Sequence, residues 1–269
     1  MYKASQASHA NAVEQAKQYW EAYIYEQQED QTDDVEFILS IVGSAPQKIF
    51  EVGCGGGRIL VPLARAGHTV AGLDLDPDML ARIPAKAQGL SGICYREANA
   101  LTDDWGGGYD VAVLAGNILV NIDAAEDYKA AQRLFIRKAA DCVRDGGHVF
   151  LEYNLMRPTH TGRQAYGGER VVFDGTDDHG VYGRFLTMPG EYDADTQMDY
   201  GKRKLELTMP NGERHLFIFS RVKHYPTVAQ IHDWLREAGM TIMEEYGGFD
   251  RCPISEEGRK AVIWARKGL

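Results

Sequence analysis

Several things are missing from this 269-residue chain, and each absence narrows its reading. No stretch approaches the ~18 uninterrupted apolar residues of a membrane-spanning helix, so no membrane span is expected. The opening, residues 1–20, shows no apolar core behind a basic start, so a secretory leader is not expected and the protein reads as cytoplasmic. Cysteine is scarce: Cys54, Cys94, Cys142 and Cys252 lie far apart, with no CxxC pair and no Cys/His cluster at zinc spacing. Free thiols in a reducing compartment are therefore expected, rather than a disulfide framework or a zinc site. Basic residues are outnumbered, 29 Lys and Arg against 39 Asp and Glu, for a net charge of −10. A surface of that sign repels phosphate backbones, which makes nucleic acid a poor candidate partner. Internal repeats and low-complexity tracts are absent as well.

What is present reads as a soluble α/β chain. Hydrophobic residues make up 44%, enough for a buried core, and charged residues 25%. Residues 9–42 carry helical spacing (Val13, Ala16, Trp20, Tyr23, Ile24, then Val35, Ile38, Leu39, Val42), with a polar break between the two groups. A strand at 48–52 then enters a glycine-rich turn. Further strands are read at 68–74, 92–97, 109–114 and 147–153, alternating with helices at about 57–66, from Pro77, and at about 124–144. Apolar strands alternating with helices at these lengths predict a doubly wound, mostly parallel sheet.

Between 155 and 225 the pattern changes to period-two runs, with Asn211-Gly212 as a hairpin turn. This predicts an antiparallel insertion. Helical spacing returns over 228–238, and strands at 241–246 and 260–265 finish the chain. The domain reading is an N-terminal helical segment or flap over 1–46, a catalytic domain over 47–154 and 226–269, and an insertion over 155–225. The insertion is expected to cover an acceptor pocket or to make a dimer contact.

The turn Glu51-Val52-Gly53-Cys54-Gly55-Gly56-Gly57 lets the backbone approach a ligand with no Cβ in the way. It does not fit the dinucleotide fingerprint G-x-G-x-x-G, because the third position is Arg58 in one register and Leu60 in the other. That disfavours a nicotinamide-dependent dehydrogenase. An acid, Asp74, ends the next strand, where a carboxylate can accept the hydroxyls of a ribose.

E-x-G-x-G-x-G followed by V-x-G-x-D-x-D-x-x-M-L resembles the class I S-adenosylmethionine (SAM)-dependent methyltransferases. Asp145-Gly146-Gly147 is similar to that family's turn into strand five, and Leu235 to Met240 to the close of its last helix. The resemblance implies a seven-stranded sheet with an antiparallel last strand beside strand five, and SAM as cofactor. By position, Gly53, Gly55 and Gly57 would flank the methionine part of SAM, with Glu51 near its ammonium through water. Asp74 would hold the ribose, Leu75 would pack on adenine, and Asn99, followed by Ala100, would accept from the adenine amino group where the family usually has an acid. Ala115, at the end of strand four, would offer a carbonyl to the methionine ammonium.

Acceptor residues are expected after strands four and five, on the first helix and in the insertion. Asn117 and Asn121 follow strand four; Asn121 either orients the acceptor or caps a loop. The histidine often found near that position in small-molecule N-methyltransferases is not there. Glu152 and Asn154 share a face at the end of strand five, and Glu152 is either a carboxylate that holds an amine and takes its proton or a surface or capping acid. Tyr19 and Tyr23 share a helix face, as core or as a flap. Arg163 and Tyr166, with His160 and Arg251, are polar candidates in variable regions; two arginines at the pocket would favour an acceptor with a carboxylate or phosphate. The insertion and the 248–253 tail look similar to those of aminosugar and glycine-type N-methyltransferases.

The expected function is thus metal-independent methyl transfer to a small soluble molecule, an amine before a hydroxyl, and a homodimer is left open. The competing readings are an RNA or protein methyltransferase, which calls for a basic surface, and a SAM-binding regulatory protein without turnover.

Overall fold

The computed structural model describes residues 9–27, 32–122, 124, 127–156 and 162–269. His160 lies outside the described residues. The elements are α1 (His9–Glu26), α2 (Asp33–Val42), β1 (Lys48–Val52), α3 (Leu60–Arg65), β2 (Thr69–Asp74), α4 (Pro77–Leu80), α5 (Ile83–Lys86), β3 (Ile93–Glu97), β4 (Tyr109–Leu114), α6 (Ile118–Asn121), α7 (Tyr128–Cys142) and β5 (Val143–Asn154). An antiparallel run follows: β6 (Arg163–Tyr166), β7 (Arg170–Thr176), β8 (Tyr182–Thr187), β9 (Gly190–Asp193), β10 (Met198–Thr208) and β11 (Arg214–His224). The chain closes with α8 (Val228–Glu237), β12 (Met240–Tyr246) and β13 (Lys260–Lys267).

Seven strands form one sheet in the order β12-β13-β5-β4-β1-β2-β3. β1 runs parallel to β2 and β4, and β4 parallel to β5, while β13 is antiparallel to both β5 and β12. Period-two alternation sends successive residues to opposite faces. Phe50, Ala112, Leu114, Val149, Leu151, Ala261 and Ile263 pack with α7 and α8. Ile49, Val111, Val113, Phe150, Val262 and Trp264 pack with α2 and α3. The chain moves to opposite sides from β1 and from β4, so the switch point of the sheet falls between these two neighbours, where such sheets bind ligands.

The residues expected as an antiparallel insertion form a second sheet, in the order β6-β9-β10-β8-β7 with β11 beside β10. Contacts divide the chain into two units, one of residues 1–30 with 158–223 and one of 31–157 with 224–269. The helical stretch read over 9–42 is therefore shared. α1 joins the antiparallel unit, where Ala16, Trp20 and Ile24 are buried with Val181, Phe185, Leu205 and Leu207; α2 joins the seven-stranded unit. A further difference lies at β5, which begins at Val143 rather than Gly147. α7 ends at Cys142, and the 145–147 turn is taken up as a register shift against β4. No helix among the described residues is long and apolar enough to cross a membrane.

Candidate active site

Each parallel strand of the seven-stranded unit delivers its loop to one edge, and the glycine turn lies at the switch point. Gly53, Gly55 and Gly57 have φ of +71°, +50° and +82°, a region that other residues enter only at a cost. The N–H groups of Gly53 and Cys54 donate to Leu73 O at 2.8 and 3.0 Å, which welds the turn to β2. A Cβ on Gly53 would stand 2.6 Å from Ile118 Cδ1, so α6 closes on the turn. Gly55 N–H donates to Asp74 Oδ2 at 2.7 Å, and Asp76 N–H to Asp74 Oδ1 at 2.9 Å. Each of those oxygens keeps a second lone pair for a ligand hydroxyl. Leu75 follows with 65% of its surface exposed, an apolar side chain turned to solvent.

Asn99 sits in an exposed loop where its Oδ1 accepts from Leu101 N–H at 2.9 Å and its own N–H donates to Asp103 Oδ2 at 2.8 Å. Its amide oxygen thus already caps the loop, with one lone pair left over. Ala100 O accepts from Lys138 Nζ and Trp105 Nε1, and buried Ala115 accepts from Ile118 N–H at 3.2 Å.

Charged groups gather on the α2 face of the same edge. Glu51 is buried, and its Oε2 has no hydrogen-bond partner among the described residues. Burial first, and then the charges of Asp74 and Asp34, hold its carboxyl well above the usual carboxylate range against the pull of Arg58. Arg58 forks onto buried Asp34 at 2.6 and 2.5 Å and also feels the charges of Glu51 and Glu152. Glu152 is 2% exposed; Lys260 Nζ donates to its Oε1 and Asn117 N–H to its Oε2, the latter at 3.0 Å. The Lys260 ammonium also lies 4.4 Å from the centre of the Phe249 ring. Four acids (Asp34, Glu51, Asp74, Glu152) thus stand against two cations (Arg58, Lys260).

Asn117 has left-handed backbone (φ +62°), and its Oδ1 accepts from Asn154 N–H at 2.8 Å. Asn117, Glu152 and Asn154 are therefore one hydrogen-bonded group tying the loop after β4 to the end of β5. Asn121, exposed at the end of α6, makes a long contact from its Nδ2 to Gly116 O at 3.4 Å.

The remaining candidates fall elsewhere. Tyr19 and Tyr23 stack at 5.9 Å on α1 and pack against the core of the antiparallel unit, Tyr19 beside His179 and Tyr23 against Trp20 and Phe173. On that unit's sheet, Arg163 pairs with Glu191 at 3.6 Å and lies over the Tyr200 ring, while Tyr166 donates to Asp199. Arg251 lies over the Phe37 and Tyr246 rings and donates to Ser40, Glu244 and Tyr246, joining the 248–253 segment to α2 and β12. Sequence reasoning passed over Lys260, Arg58 and Asp34. Arg58 directly follows the glycine turn and could have been noticed by position; Lys260 meets Glu152 only through the β5–β13 register, 108 residues away.

The residues fit the methionine, ribose and adenine parts of SAM: a glycine cradle, a buried unpartnered carboxyl oxygen, an acid with free lone pairs and an exposed apolar side chain. With the doubly wound sheet, they define a class I, SAM-binding methyltransferase fold. Residues 49–147 match the family described as Methyltransferase domain. It is 31% identical over 144 residues to the ubiquinone biosynthesis O-methyltransferase of Acinetobacter baumannii (strain ACICU), a stretch of 51% of this chain and 57% of that protein. Among solved structures it is similar to the CcbJ methyltransferase from Streptomyces caelestis (TM-score 0.67, 20% identity, 88% of this chain and 90% of that one). It is likewise similar to the sugar N-methyltransferase KedS8 from Streptoalloteichus sp ATCC 53650 (TM-score 0.66, 16% identity, 87% of each chain).

Proposed function

We propose that the chain is a SAM-dependent methyltransferase acting on a small molecule, with an amine as the acceptor. The observation that carries this is the cradle at the switch point, three positive-φ glycines anchored through Gly55 N–H to Asp74. Bound SAM supplies a methyl group already activated on a sulfonium, so the protein's task is to align the nucleophile and match the changing charge. Asp74 would take the ribose hydroxyls, Leu75 and the 99–100 turn the adenine, and Glu51 with Ala115 O the methionine ammonium.

The amine preference rests on charge. With Glu51 held protonated by burial, the three other carboxyl groups against two cations still favour a cationic occupant over a neutral phenol. The likeness to sugar N-methyltransferases also runs through the antiparallel unit, whereas the O-methyltransferase relatives align with about half the chain. Glu152 would hold the ammonium on the lone pairs left by Lys260 and Asn117 and accept its proton, with Asn121 and Asn154 orienting the acceptor. Transfer is proposed to need no metal, since no three His, Cys, Asp or Glu side chains among the described residues could hold one. A hydroxyl acceptor is the second reading, favoured by the 31% identity to the ubiquinone enzymes.

A screen of amines, amino acids and phenols with methyl-labelled SAM, with and without excess chelator, tests the proposal. Label in an amine pool, unaffected by chelator, is expected; label only in phenols selects the second reading, and none in any pool rejects both. Asp74→Ala should weaken SAM binding by a few kcal/mol, since two charge-assisted hydrogen bonds of ~1.5–3 kcal/mol each are lost. Glu152→Gln should slow transfer at unchanged SAM affinity; an unchanged rate would remove Glu152 from the chemistry.

A further inference from the structure

β11 stands at the open edge of the antiparallel sheet, pairing with β10 and with no other strand among the described residues. It is 11 residues long, contains no proline, and its burial alternates without a break from Arg214 to Lys223. Long edges of this kind are templates for pairing, which is why folds usually shorten, bend or cover them. Met209 N–H donates to Glu213 O across the β10–β11 turn, so the odd-numbered residues of β11 turn their backbone groups toward β10. The N–H and C=O groups of Arg214, Leu216, Ile218, Ser220 and Val222 therefore point away from β10, along the open edge.

The side chains of those residues set β11 apart from its neighbours. One face of the sheet packs on the core through Leu205, Leu207, Phe217 and Phe219. On the other face, β8 and β10 carry a ladder of ions: Arg184 pairs with Asp174 and Glu206, and Lys204 with Glu206 and Glu169. That is the composition of a surface kept in water. On β11 the same face carries Leu216, Ile218 and Val222, which are 61%, 56% and 38% exposed. The apolar surface thus lies along the strand whose backbone edge is open, the combination that strand addition uses. The sequence of β11 is complementary to itself. Antiparallel pairing of two copies centred on Phe219 would set His215 opposite the partner's Lys223, and centring on Ile218 would set it opposite the partner's Arg221, basic against basic. Centring on Phe217 instead sets Leu216 opposite the partner's Ile218, once on each side of the axis, and Glu213 opposite the partner's Arg221, with no like charges opposed.

We propose that β11 is a self-association strand: two copies of this chain join their antiparallel sheets edge to edge, β11 against β11, about a two-fold axis at Phe217. The interface does not depend on the chemistry at the seven-stranded sheet. Sedimentation of the full chain over a dilution series tests it. The wild type should run at twice the mass of one chain. Leu216→Lys and Ile218→Lys alter exposed side chains, so each should keep the circular dichroism of the wild type and run as a monomer. Phe217→Cys reads the register. In the proposed pairing the two copies of that residue form a non-hydrogen-bonded pair with Cα atoms about 4.5 Å apart, within reach of a disulfide. Mild oxidation should link the copies, and adding Ile218→Lys to that variant should abolish the link. A monomeric wild type leaves the edge to another partner and overturns the proposal, as does a dimer that survives both lysine variants. A dimer that the lysines split but Phe217→Cys does not link overturns the register.

Discussion

Glu51 is the residue whose charge state answers most directly to the ligand. Its burial favours the protonated carboxyl, and a nearby cation favours the carboxylate, so SAM binding should expel a proton. Titration in two buffers of different ionisation enthalpy should reveal that release, and Glu51→Gln should abolish it; identical heats for the wild type in both buffers would refute the coupling. His224 titrates with the fold instead. It is buried against Gln132, its Nδ1 2.7 Å from Gln132 Oε1, and burial pulls its pKa down to about 4. Between that value and ~6.5 the unfolded chain binds the extra proton, so stability is present above ~6.5 and is lost as pH falls toward 4. The loss is on the order of 3 kcal/mol, and a His224→Asn protein should show a correspondingly flatter acid limb in denaturant melts. Lys260 is a matter of charge balance. Lys260→Met leaves Glu152 buried without its cation and should cost about 3 kcal/mol, most of it recovered in the double variant with Glu152→Gln.

The elements show what could and could not be read in advance. The central strands β1 and β4 reveal themselves through continuous apolar runs, because burial on both faces leaves few other compositions, while the edge strands β3 and β12 mix apolar with polar residues. The glycine turn and Asp74 were legible for a similar reason: positive φ and a close approach leave few residues that fit. The Asn117–Glu152–Lys260 group was not, since it arises from register between β4, β5 and β13, which local spacing does not encode. Asn99 was read as a ligand group, yet its amide oxygen also serves its own turn, a contact with Leu101 two residues away. Tyr19 and Tyr23 share a helix face as spacing required, but only packing shows that this face meets the antiparallel core. α8 carries its own start signal. Thr227 and Gln230 form a reciprocal capping box, and Thr227→Ala should lower stability by about 1 kcal/mol in denaturant unfolding, with little effect on SAM affinity.

At the scale of the whole molecule, each unit is assembled from separated stretches of chain. A ligand held by the seven-stranded unit should stabilise it by mass action, about 2.7 kcal/mol at a hundredfold excess over Kd. S-adenosylhomocysteine should accordingly raise the melting temperature, with slowed amide exchange at 53–57 and 74–76; no slowing there would move the cofactor elsewhere. The position of β13 has a further consequence, for the order of biosynthesis. β13 occupies the slot between β5 and β12, yet all of β6 to β11 is translated before it. Until residue 267 has left the ribosome, β5 presents an unpaired hydrogen-bonding edge that carries the apolar run Val149-Phe150-Leu151, the kind of edge that recruits other nascent chains. A nascent chain stalled before 260 should therefore be a chaperone client with an open sheet, whatever the state of its glycine turn.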